Sequence, residues 1–99
     1  MEVHHVAGPR VVSLTGDLDT YTLSSTRQIL SRVDEACVID LSSVRIIDAA
    51  TLGEFVRLKK RIAPHRVVLA GPNRHVRRVL TVLQFDRMFE IVERAEDAR

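Results

Sequence analysis

The stretch VIDLSSVRIIDAATLGEFVRLKKR, residues 38–61, decides how this chain folds. It opens as a short apolar strand, passes through Ser42 and Ser43, and reaches Asp48. Leu52, Phe55, Leu58 and Ile62 follow at spacings of three and four residues, which place one apolar stripe on a helix. Asp48 suits the N-cap, because its carboxylate can accept the orphan N–H groups of Ala50 and Thr51. Arg57, Lys59, Lys60 and Arg61 fall in the last turns, where positive charge complements the helix dipole. Strand, short loop and capped helix make half of a βαβ unit.

Gly53 stands out within this helix. An interior glycine costs about 1 kcal/mol relative to alanine. At 100° per residue, Ala49, Gly53, Val56 and Lys60 share one ridge, set off from the Phe55, Leu58 and Ile62 stripe. Two small residues there allow another backbone to approach closely. That backbone belongs either to a neighbouring helix of the same domain or to a partner molecule.

Outward from this unit the pattern repeats. Residues 3–7 and 10–15 read as strands with Gly8-Pro9 as a turn, the first antiparallel to the second. Gly16-Asp17-Leu18-Asp19 ends the second strand, and Asp19 or Thr20 caps a helix over about 20–33, with Leu23, Leu30 and Val33 inward and Ile29 at the edge. The central strand and helix occupy about 36–41 and 49–63, and Pro64 stops the helix. RVVLA, residues 66–70, is a continuous apolar run that suits a parallel strand covered on both faces. A helix over 74–83 carries Val76, Val79, Leu80 and Leu83 inward, and 89–92 forms a last strand. The prediction is one α/β domain over 1–99, with a core of about 6–93 and a charged tail at 94–99. Its sheet is mixed and mostly parallel, of about five strands with three to four helices.

Composition narrows the function. At 99 residues there is chain for a single core. The 15 basic and 13 acidic residues leave a net charge of +2, and no basic tract is interleaved with aromatics as single-strand binders require. No nucleic-acid partner is therefore expected. Cys37 is the sole cysteine and lies in the strand-like run VDEACVID, which reads as an inert buried thiol in a cytoplasmic protein. No apolar stretch is long enough to span a bilayer, so no membrane insertion is expected.

Catalytic groups are few. The four glycines are scattered, so no phosphate-cradling loop forms. His4 and His5 are adjacent and would point to opposite faces of a strand, and HExxH and paired cysteines are absent. Neither a metal nor another cofactor is expected. Asp17 and Asp48 both follow parallel strands, so they belong on the same sheet edge. Two carboxylates there could bind Mg²⁺, act as acid and base, or cap helices, and capping is the simpler role. A non-enzyme is expected.

Three segments, VVSLTGDLD (11–19), VIDLSSVRIIDAATLGEF (38–55) and HRVVLAGPNRHVRRVLTVLQF (65–85), together resemble a STAS domain, the fold of bacterial anti-sigma factor antagonists. The resemblance covers about 6–93 and is most specific in the GDLD segment and in Asp48 to Gly53. It implies partner switching: the unphosphorylated antagonist binds an anti-sigma factor that is also an ATP-using serine kinase, and so frees a sigma factor. That kinase then phosphorylates a serine just after the capping aspartate, in a motif close to D-S-S/T-G-L-G. Here the motif is Asp48-Ala49-Ala50-Thr51-Leu52-Gly53. Ala49 occupies the acceptor position without a hydroxyl, so binding would be constitutive or regulated elsewhere. Thr51 is a substitute acceptor on chemistry, but it points about 200° round the helix from Ala49. The partner surface implied is Asp17, Asp19, Asp48, Ala49, Ala50, Gly53, Val56, Arg57 and Lys60, with Arg57 and Lys60 as a polar rim. The chain could also form a homodimer. Some STAS proteins lacking that serine are subunits of phospholipid-transport ABC systems and bind the transporter ATPase. Others are scaffold components of signalling assemblies.

Overall fold

The computed structural model describes residues 9–98. In chain order the elements are β1 (Arg10–Leu18), α1 (Leu23–Ser31), β2 (Cys37–Ile47), α2 (Ala49–Ile62), β3 (Val67–Ala70), α3 (Arg74–Val82) and β4 (Glu90–Val92). Short 3₁₀ turns cover Phe85–Arg87 and Ala95–Asp97. The strands form one sheet in the order β1-β2-β3-β4, and each neighbouring pair is parallel. The fold class is thus the α/β, STAS-like one expected, with four strands among the described residues. The additional strand expected over 3–7 lies outside them.

Strands added in one direction through right-handed crossovers put every connecting helix on the same face of the sheet. The main core is consistent with this. Val12 and Leu14 of β1, Ile39 and Leu41 of β2 and Leu69 of β3 pack with Leu30 of α1, Phe55 of α2 and Leu80 of α3. Strand alternation sends Val38, Val68 and Ala70 to the opposite face, where Ala98 covers them, with Val92 and Ala95 alongside. All four β3 residues are consequently buried, as the unbroken apolar run predicts. Truncating an enclosed residue such as Phe55 should cost about 3–5 kcal/mol.

Two strands run further than expected. The segment after residue 41 is strand up to Ile47, and β1 continues through Gly16 and Asp17 to Leu18. Pairing is continuous to Leu18 opposite Ile47, but its register shifts twice, between Ser13 and Thr15 and between Gly16 and Asp17. Each shift adds one residue to β2 relative to β1, as β-bulges do. Gly16 takes a φ of +78°, which a residue with a Cβ would resist. The polar Ser42 and Ser43 read as a loop because bulges break the alternation by which a strand is recognised. The two residues are exposed strand positions.

The helices begin and end close to their predicted bounds, with α1 the exception. It starts at Leu23, because residues 19–22 form a separate hydrogen-bonded turn. Thr26, not Leu23, shares its buried face with Leu30. Leu83 was expected inside and is 46% exposed, and Val79 is half-buried. Along α2, Leu52, Phe55, Leu58 and Ile62 are all buried, as the spacing requires.

Candidate functional site

The site is built where β1 and β2 end side by side. The Asp48 N–H donates to the Leu18 carbonyl at 2.9 Å, so the β1–α1 turn and the start of α2 sit together on the carboxyl edge of the sheet. This confirms that Asp17 and Asp48 share an edge. Asp48 adopts the extended backbone of an N-cap, and its Oδ1 accepts from the Thr51 N–H at 2.9 Å. Its expected second bond, from Ala50, is not formed among the described contacts. Asn73 caps α3 in the same way, accepting from the Val76 N–H at 2.8 Å. Its amide group also donates to the Val44 and Arg45 carbonyls, tying α3 to β2.

Asp17 does not take the helix-capping role that was the simpler expectation for it. Both its oxygens accept from Arg45, whose Nε and Nη2 each lie 2.7 Å away across the bulged strands. This two-pronged ion pair holds the Asp17 carboxyl below its usual pKa, chiefly through the hydrogen bonds. An anion fixed in that way is poorly suited to exchange protons. Asp19 does not cap α1 directly. Its Oδ1 accepts from the N–H groups of Tyr21 and Thr22, and the Thr22 hydroxyl donates to the Asp17 carbonyl. The result is a tight Asx turn that presents Tyr21, 94% exposed, beside the edge. No spacing rule marks Tyr21 in the sequence, because its exposure follows from the turn.

The ridge of α2 is open. Ala49, Ala50, Gly53, Arg57 and Lys60 are exposed, and Val56 is half-buried against the core. A Cβ built on Gly53 would meet nothing within 4 Å. Among the described residues, no helix uses the close approach that Gly53 permits. Thr51 lies on the opposite side, fully enclosed, and its hydroxyl has no hydrogen-bond partner among the described residues. That position keeps the hydroxyl away from solvent in the folded conformation. Ala49, by contrast, is exposed.

A further charged group lies on the flank of α2. Glu54 is only 8% exposed and accepts from Arg27 of α1 at 2.9 Å, with Arg57 3.9 Å away. The Arg27 hydrogen bond lowers its pKa against the opposing effect of burial. Arg61 donates to the Leu30 carbonyl at 2.8 Å, closing α1 against α2 from the other end. Arg57 and Arg61 are therefore partly committed inside the molecule, whereas Lys60 is exposed on the ridge and forms no ion pair among the described residues. Cys37 is buried, and burial raises its thiol pKa, in keeping with an inert role. Among the described residues no cluster of three or more His, Cys, Asp or Glu is arranged to hold a metal. No helix among them is long and apolar enough to cross a membrane.

Comparison with known proteins places this geometry. A family model described as "Mlab, STAS domain" matches residues 1–93. A proposed anti-sigma factor antagonist from Thermotoga maritima superposes with a TM-score of 0.78 at 27% identity, over 89% of this chain and 83% of that one. A sulfate transporter family protein from Wolinella succinogenes gives 0.75 at 14% identity, over 94% and 83% of the two chains. The anti-sigma factor antagonist SpoIIAA in its unphosphorylated form gives 0.69 at 16% identity, over 97% and 90%. The last two likenesses establish the fold alone. With nearly the whole chain matched by the family and the fold shared, the protein belongs to the STAS domain family.

Proposed function

We propose that this chain is a non-enzymatic binding module of the antagonist type. It docks an anti-sigma factor of the serine-kinase kind through the start and outer ridge of α2, and so releases a sigma factor. The observation that carries this reading is Gly53. A glycine in an exposed helix interior costs about 1 kcal/mol, and no contact within the described domain offsets that cost. Close approach by another molecule supplies the missing use. Asp48, Ala49 and Ala50 start the docking surface, with Asp17, Asp19 and Tyr21 beside them. Val56 contributes an apolar contact and Arg57 and Lys60 a polar rim.

Ala49 sets the regulation. A phosphate at this first helical position would suit the dipole, but it would place charge and bulk beside Asp48 in a close interface. A methyl group there cannot be switched, so binding is constitutive or controlled at another site. The missing hydroxyl supports a second reading: a STAS subunit of a phospholipid-transport ABC system, holding its ATPase by the same ridge. Affinity capture of the tagged protein from its own cells, followed by mass spectrometry, separates the two. Recovery of a histidine-kinase-type ATPase or a sigma regulator supports the first reading. Recovery of a transporter ATPase with membrane subunits replaces it with the second.

A further inference from the structure

An open groove of about 520 Å³ lies between the start of α2 and the length of α3, lined by Ala49, His75, Arg78, Val79, Val82 and Leu83. From His75 to Leu83 it extends about 12 Å, or roughly two helical turns. Its floor is apolar. Val82 is 70% and Leu83 46% exposed, so this is apolar surface left uncovered within the described domain. On α3, Arg78 lines the groove, and the exposed Arg74 lies one turn before it on the same side of the helix. The helix contains no acidic residue. Arg77 has Glu93 at 3.9 Å, but among the described residues Arg74 and Arg78 form no ion pair. Ala49 belongs both to this groove and to the α2 ridge, so the two surfaces are continuous.

We propose that this groove receives an acidic amphipathic helix of the partner protein. Its apolar stripe enters between Ala49, Val79, Val82 and Leu83, and its flanking aspartates or glutamates pair with Arg74 and Arg78. Size and shape favour this occupant. The trough is open along two turns of α3, which matches the anchor spacing of a helix laid in a groove. The unpaired arginines along one border favour an acidic flank and oppose a basic one. The proposal deepens the docking reading above and rests on it.

The test uses the whole chain and a stapled helix with a leucine stripe flanked by glutamates, followed by NMR and calorimetry. A second peptide with lysines in place of the glutamates serves as the charge control. The expected result is saturable binding of the acidic peptide, with shifts centred on Ala49, His75, Val79, Val82 and Leu83. The lysine peptide should bind about tenfold more weakly. Arg78→Glu should reverse that preference and Val82→Asp should abolish binding. Both side chains are exposed, so neither change should move the thermal melt. Equal binding of the two peptides, no binding, or indifference to Val82→Asp overturns the proposal. An inert peptide together with Val82-dependent sedimentation on phosphatidylglycerol vesicles also overturns it and assigns the groove to a lipid surface. If the groove peptide fails while Gly53→Leu still loses the captured partner, only the groove assignment falls. If the peptide binds but Gly53→Leu retains its partner, the ridge reading falls instead.

Discussion

Gly53 is the residue at which stability and use oppose one another. Its Cβ would enter open space and its backbone is helical, so Gly53→Ala should raise stability by about 0.5–1 kcal/mol. Urea unfolding checks this, and a loss of stability would mean a packed position. Thr51 shows the reverse conflict. Its hydroxyl is enclosed without a partner, so Thr51→Val, which keeps the shape and removes the polar group, should be stabilising by up to about 1 kcal/mol in the same assay. Asp48→Ala should cost about 1 kcal/mol through the lost cap. The Gly53 anomaly was visible in the sequence because helical periodicity exposes it. Its resolution was not, since periodicity gives the angle of a residue on its helix but not what lies opposite. Thr51 is a similar case: its angle set it apart from Ala49, but its complete burial came from the packing of α2 on the sheet.

Among the elements, α2 is held at its flank by the Glu54–Arg27 ion pair to α1. The Glu54 carboxyl has a folded pKa below its ordinary value. Such a group contributes its full stability above the unfolded pKa, near about 4.3, and loses it as pH falls through the lower folded value. Glu54→Gln should therefore cost about 1 kcal/mol at pH 7, since Arg27 is more than half exposed and can be rehydrated. That deficit should vanish as denaturant midpoints are followed down through pH 4 and below. A deficit independent of pH would show that shape, not charge, holds the pair. The order of strands and helices was readable because apolar runs and stripes change period between them. The pairing of Glu54 with Arg27, 27 residues away, was not readable, nor was that of Asp17 with Arg45. Each depends on helix packing or on the two register shifts between β1 and β2, which leave no local signal in sequence.

Across the fold, the four parallel strands among the described residues carry their helices on one face, bring two strand ends together and leave the α2 ridge uncovered by any other described element. The GDLD and D-x-x-x-L-G segments were legible as neighbours because both follow parallel strands that end on one edge. Tyr21 and the α3 groove were not, since their exposure comes from turn geometry and helix spacing. On the proposed reading, Ala49 stands where a switchable hydroxyl would be. Restoring the hydroxyl with Ala49→Ser should create a site labelled by the cognate kinase, read by radiolabel transfer. Absence of label with a kinase active on another antagonist would favour the transporter reading. The central claim is that the Gly53 ridge is the docking surface. The most direct measurement compares partner capture by the native protein and by Gly53→Leu, alongside their thermal melts. The expected result is recovery reduced about a hundredfold, as for a steric clash at an interface centre, with an unchanged or higher melting temperature. Undiminished capture by a folded Gly53→Leu protein would contradict it.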